Sequence, residues 1–125
     1  MNKDELIKRT KQFALKIIKL IATIPNTIEG RVIANQLAKS GTSVGANYRA
    51  ACKARSRAEF IAKIGVVEEE ADECVYWLEL LIEANLSKIE LVGPLLREAG
   101  EIVAIMASSR KSATINRKSA ISNRK

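Results

Sequence analysis

From Phe60 to Leu81 the residues Phe60, Ile64, Val67, Ala71, Cys74, Leu78 and Leu81 follow an unbroken alternation of four- and three-residue steps. That spacing predicts one long helix, over about 56–85, packed along others through a continuous seam. Leu6, Thr10, Phe13, Ile17, Leu20 and Ile24 define an earlier helix over about 3–24, with Ile7, Ala14, Ile18 and Ile21 beside the line and Pro25 as its stop. An apolar face that wide exceeds the seam of a two-helix contact, so this helix is expected to touch two partners or a subunit boundary. Ile33, Leu37, Ser40, Val44, Asn47 and Ala51 mark a second helix over 28–53, with Thr27 as its N-cap. Val92, Leu95, Ala99, Ile102 and Met106 mark a fourth over 88–108.

Ser56 with Glu59, and Ser87 with Glu90, have the Ser-x-x-Glu spacing of a capping box and place the starts of the third and fourth helices. Pro94 lies past the first turn of the fourth, so that helix either kinks or begins its regular part near Gly93-Pro94. The middle of the second helix, Ser40-Gly-Thr-Ser-Val-Gly-Ala-Asn47, is a poor intrinsic helix. Its glycines and hydroxyl residues cost about 2 kcal/mol relative to alanine, so tertiary contact must hold it, and small residues permit close approach of a neighbour. Tight packing is preferred over a ligand-binding loop.

At 125 residues the chain is one domain, expected to be all-α over 1–109, and long enough for one unaided core. Cys52 and Cys74 sit in helical patterns without a CxxC spacing, and the sequence has no histidine. Both cysteines read as small core residues, and a zinc set or an imidazole base is excluded. Glu68, Glu69, Glu70, Asp72 and Glu73 form an acidic outer face on the third helix; without histidine it reads as a solvated or inter-subunit surface, not a metal or acid/base site. No nucleophile elbow or phosphate loop is present, so no enzyme class is indicated and no cofactor is expected. Lys16 and Lys19 interrupt the apolar run of the first helix, no stretch approaches a membrane span, and a soluble cytoplasmic protein is expected.

Net charge is +7, unevenly spread: residues 31–63 carry +6, residues 64–101 carry −8, and the end of the chain from Arg110 carries +6. The opposed signs would let the acidic third helix lie against basic neighbours in its own or an adjacent subunit. Trp77, Leu80 and Ala84 continue a second stripe beyond Val66, Glu70 and Glu73, which is either edge-of-core packing or a subunit anchor. After Ser109 the apolar pattern stops, and Arg110-Lys-Ser-Ala-Thr-Ile-Asn is followed by Arg117-Lys-Ser-Ala-Ile-Ser-Asn and Arg124-Lys125. This near repeat, residues 110–125, is expected to be a disordered basic tail that either serves solubility alone or, the preferred reading, binds phosphate when several copies are presented together.

The runs Gly41-Thr-Ser-Val-Gly-Ala-Asn47, Ala54-Arg-Ser-Arg-Ala-Glu-Phe-Ile61 and Glu70-Ala-Asp-Glu-Cys-Val-Tyr-Trp-Leu78 together resemble a bacterial four-helix-bundle family. It is the family of proteins encoded in intervening sequences of 23S ribosomal RNA genes, related to the accessory variability proteins of diversity-generating retroelements. The resemblance implies an antiparallel up-down bundle, a homo-oligomeric ring, commonly a pentamer, and a basic surface suited to RNA or DNA. It implies no enzymatic activity; for the retroelement branch it implies a reverse transcriptase as partner. Carried over by position, Asn47, Glu59, Phe60, Tyr76 and Trp77 are bundle and interface determinants. Tyr76, Trp77, Leu80, Glu70 and Glu73 are the expected oligomer interface. Phosphate contacts are expected from Arg31, Lys39, Arg49, Lys53, Arg55 and Arg57, joined by Arg110, Lys111, Arg117 and Lys118 of the tail. Two functions follow: a nucleic-acid-associated oligomer, or a protein-interaction scaffold that uses its charge for assembly.

Overall fold

The structure, a computed structural model, describes the backbone of residues 1–123 and the side chains of residues 1–119. Arg124 and Lys125, assigned above to the tail, lie outside the described residues. Four helices follow in order: α1 (Lys3–Ile21), α2 (Ile28–Cys52), α3 (Arg57–Glu83) and α4 (Ile89–Asn123). They form an antiparallel up-down bundle. Each packs on its neighbours in sequence, and α1 closes the ring against α4 by a lighter contact. Among the described residues the diagonal pairs, α1 with α3 and α2 with α4, make no backbone approach.

The lines read from the sequence are the core. Leu6, Thr10, Phe13, Ile17 and Leu20 of α1 are buried, as are Ile64, Val67, Ala71, Cys74, Leu78 and Leu81 of α3 and Val92, Leu95, Ala99, Ile102 and Met106 of α4. Each aliphatic side chain so placed contributes about 1.5–3 kcal/mol by leaving water. Phe60 and Ile24 are half-buried against this core. Asn47, expected inward, is half-buried and turns its amide to the carbonyl of Ser43 at 2.8 Å, while Tyr48 takes the buried place beside it. The buried hydroxyls spend their donors locally: Thr10 on Leu6 O at 2.8 Å and Ser40 on Gln36 O at 3.0 Å.

Gly41 and Gly45 explain why α2 tolerates a weak helical middle. A Cβ at Gly41 would stand 2.8 Å from Ile17 Cγ2, and one at Gly45 would stand 3.3 Å from the Thr10 carbonyl oxygen, so α1 lies close upon this stretch. In the α1–α2 turn, Thr27 Oγ1 accepts from Gly30 N at 3.0 Å, and Gly30 passes so near Pro25 O that a Cβ would be 2.1 Å from it. Ser56 caps α3 by accepting from Glu59 N at 3.1 Å; the Glu59 carboxylate reaches back to Arg55 N at 3.3 Å.

Two expectations for α4 need correction. The Ser87–Glu90 capping box does not form: α3 ends with Asn85 in the left-handed region (φ 57°), and the amides of Leu86 and Ser87 both bond to Leu81 O. Ser87 thus finishes α3; its hydroxyl is buried without a partner, and Lys88 O accepts from Leu91 and Val92 to open α4. Of the two alternatives left open at Pro94, the later start does not occur: α4 begins at Ile89, next to the expected 88, and carries Pro94 inside it. Its far end is not near 108, because the backbone stays helical to Asn123.

Candidate nucleic-acid interface

The turn between α2 and α3 is short because both helices end tightly. Lys53 returns its amide to Ala50 O and Ala51 O, Ala54 N bonds Ala51 O at 3.1 Å, and Ser56 begins α3 at once. Five residues from Lys53 to Arg57 therefore cross the end of the bundle, and they carry Lys53, Arg55 and Arg57, all exposed. Arg49 is exposed in the last turn of α2, one turn before Lys53. Among the described residues none of these cations is in a salt bridge.

The end of α4 reaches the same place. Arg110 donates through Nε to Glu68 Oε1 of α3 at 2.8 Å, and its Cδ lies 4.0 Å from where a Cβ on Gly65 would be. Glu68 raises the Arg110 guanidinium above its ordinary value, by the hydrogen bond first and its charge second. From this latch α4 runs antiparallel to α3 toward its first residue. At 1.5 Å per residue, Arg57 lies about 16 Å from Glu68 along α3 and Lys118 about 12 Å beyond Arg110 along α4, so the two basic stretches arrive together.

Helical backbone from Arg110 to Asn123 also arranges the near repeat. Arg110 and Arg117, and likewise Lys111 and Lys118, recur after seven residues, almost two full turns, and fall on one stripe about 10 Å apart. Lys111, Arg117 and Lys118 are exposed; Thr114 Oγ1 spends its proton on Arg110 O at 2.8 Å.

Two of the expected phosphate contacts are elsewhere. Arg31 lies in the first turn of α2, at the opposite end of the bundle, where its guanidinium donates to Asn26 Oδ1 at 3.4 Å. Lys39 is midway along α2, and its charge acts on Glu70 of α3. The expected interface residues line the outside of α3. Tyr76 is 54% exposed and meets Trp77 edge to face at 5.0 Å, while Trp77 Nε1 donates to Glu73 Oε1 at 3.1 Å. Trp77 and Leu80 are partly buried against the core. Burial first, then Glu73 and Glu69, hold the half-buried Glu70 carboxyl above the usual carboxylate range, against Lys39.

Sequence reasoning missed the clamp that closes the bundle. Arg9 of α1 donates through Nε and Nη2 to Glu98 of α4 at 2.7 and 2.6 Å and also engages Glu101. It missed the burial of Tyr48 as well, although the residue falls between Val44 and Ala51 at core spacing. Burial, then Cys52 nearby, pushes the Tyr48 hydroxyl well above its ordinary value. The buried Cys74 thiol donates to Ser40 Oγ at 3.4 Å, and burial pushes it up to about 11. A groove of about 510 Å³ between α1 and α4 is lined by Lys16, Lys19, Leu20, Thr23, Leu91, Pro94, Leu95 and Glu98. No helix among the described residues is long and apolar enough to cross a membrane.

Fold and surface together define an all-α bundle with a buried, largely apolar interior and a basic end. The chain belongs to the 23S rRNA-intervening sequence protein family, whose model matches residues 2–108. It is similar to a solved structure described as a protein with unknown function from the S23 ribosomal protein family of Bacteroides thetaiotaomicron VPI-5482. Identity is 35%, the TM-score is 0.81, and the match covers 89% of this chain and 99% of that one. Among curated proteins nothing matches. The basic stripe beyond Arg110 falls outside the family match.

Proposed function

We propose that this protein is a non-enzymatic nucleic-acid-binding bundle that grips the phosphate backbone with its basic end. One observation carries the reading: Arg49, Lys53, Arg55 and Arg57 of the α2–α3 corner and Lys111, Arg117 and Lys118 of α4 gather at one end, exposed and free of salt bridges among the described residues. Separate helices supply these charges, and only the antiparallel topology brings them together. Unneutralised cations that meet phosphates release the counterions condensed on a polyanion. Arg110, held by Glu68, sets the direction of the stripe and is a positioning residue here. The family's name, which points to 23S rRNA, makes RNA the first polyanion to try.

Cations that meet phosphates carry no base information, so binding is expected to be indifferent to sequence. The test is fluorescence anisotropy with labelled RNAs of unrelated sequence. Replacing Arg55 and Arg57 by serine, or Lys111, Arg117 and Lys118 by serine, weakens binding to all of them by a similar factor. Replacing Arg31, at the opposite end, leaves binding unchanged. Loss on replacing Arg31 with no loss from the basic end rejects the proposal.

A further inference from the structure

The groove of about 510 Å³ between α1 and α4 opens where the bundle is most lightly closed, and its two sides differ in chemistry. Leu91, Pro94 and Leu95 of α4 with Leu20 of α1 make an apolar wall and floor, and Leu91 stands 54% exposed. Lys16 and Lys19, three residues apart and so on one side of α1, flank that wall. Glu98 closes one end, but Arg9 already donates to both of its carboxylate oxygens. Thr23, toward the other end, spends its proton on the Leu20 carbonyl at 2.7 Å. Among the lining side chains the unspent donors are therefore the ammonium groups of Lys16 and Lys19, both exposed and outside any salt bridge among the described residues.

We propose that this groove binds a small amphipathic carboxylate of medium-chain fatty-acid type: the chain lies along Leu20, Leu91, Pro94 and Leu95, and the carboxylate meets Lys16 and Lys19. Charge complementarity selects this occupant. A neutral ligand leaves both ammonium groups unpartnered, a cation is repelled by them, and a wholly polar anion leaves the apolar wall in water. Glu98 does not oppose the carboxylate with a free charge, because Arg9 neutralises it through two hydrogen bonds. Leu91 to Glu98 spans seven residues of α4, about 10 Å along the helix, which is room for a short chain and too little for a folded lipid pair. The volume lies within the range of small-molecule sites, and a few placed polar groups beside an apolar lining are their usual composition. The groove lies between the end of α1 and the start of α4, toward the end of the bundle opposite the α2–α3 corner, so it does not depend on the nucleic-acid reading.

Isothermal titration of the full chain with decanoate, below its micelle-forming concentration, tests this proposal. Saturable binding of one decanoate per chain is expected, with decanol, which keeps the chain and lacks the charge, binding more weakly. Lys16→Gln with Lys19→Gln is expected to weaken decanoate about tenfold, the effect of two exposed ion pairs, and to leave decanol unchanged. Leu91→Glu, an acid in the first turn of α4 where the helix dipole accepts it, removes part of the wall, repels the carboxylate and is expected to weaken decanoate further than decanol. Circular dichroism confirms that both variants keep their helices. Absence of saturable binding, equal affinity for decanol and decanoate, or decanoate affinity that neither variant changes overturns the proposal. Binding to vesicles of anionic lipid without binding of free decanoate overturns it too, since the lysines would then serve a membrane surface. Serine at Arg55 and Arg57 is expected to leave decanoate affinity as it is, so failure here and failure of RNA binding are read separately.

Discussion

Arg9 of α1 and Glu98 of α4 form a two-pronged ion pair that joins the first helix to the last, at 2.7 Å from Nε and 2.6 Å from Nη2. The pair stands where the bundle is most lightly closed. The guanidinium rises above its ordinary value, mainly through the Glu98 hydrogen bond, and the Glu98 carboxyl is held below 4.5 by the same bond against the opposing effect of burial. Both side chains are about a fifth exposed, so Arg9→Met is expected to cost about 1.5–2 kcal/mol, the lower part of the range for hydrogen bonds to charged groups. Urea denaturation measures it.

The same pair sets a pH dependence. A carboxyl with a depressed folded-state value contributes stability that is complete above its unfolded-state value, near 4.5, and is lost as pH falls through the folded one. Wild type is therefore expected to lose stability below about pH 4.5 more steeply than Arg9→Met, with the two urea midpoints converging in acid. Parallel curves would remove the assignment to Glu98.

Gly41 and Gly100 give opposite answers to the same substitution. Alanine at Gly41 puts its methyl 2.8 Å from Ile17 Cγ2 and 3.0 Å from Cγ1, so the fully buried Ile17 side chain or the helix that carries it must shift. That overpacking costs about 1–3 kcal/mol and exceeds the gain of about 1 kcal/mol in helix propensity. Gly100 has nothing within 4 Å and lies exposed in α4, so Gly100→Ala is expected to stabilise by about 0.5–1 kcal/mol. Thermal melts of the two variants moving in opposite directions is the expected result.

The thiols separate in the same way. Cys74 is fully buried, bonded to Ser40 and pushed up to about 11, whereas Cys52 is half-exposed. At pH 8 a disulfide reagent is expected to label Cys52 in the native protein and Cys74 only on unfolding, because the thiolate is the reactive form. Mass spectrometry after a short pulse distinguishes the two sites.

What the sequence makes legible here is what has a period. Ile64, Val67, Ala71, Cys74, Leu78 and Leu81 recur at helical spacing because burial demands it, and every one of them is buried. The small residues around Gly41 are equally legible, since a costly stretch implies a contact, and that contact is Ile17. The Arg9–Glu98 clamp is not, because its partners are 89 residues apart and their approach depends on how the ring of helices closes. Ser87 misleads because the chain spends its amide on Leu81 O as α3 ends, leaving no cap at the expected place. The length of α4 is hidden because its apolar rhythm stops at Met106 while the backbone remains helical to Asn123. For the site, Arg49, Lys53, Arg55 and Arg57 are neighbours already in sequence; that Lys111 and Lys118 join them, and that Arg31 does not, follows from topology alone.

The most direct measurement is the affinity of the full-length protein for a single-stranded RNA across a series of salt concentrations. Seven free cations at the basic end, at about 0.7 per neutralised phosphate, predict a log–log slope of about −3 to −5. Serine at Lys111, Arg117 and Lys118 is expected to reduce that slope by about 2. No binding at low salt, or a slope near zero that the substitutions leave unchanged, would contradict the account.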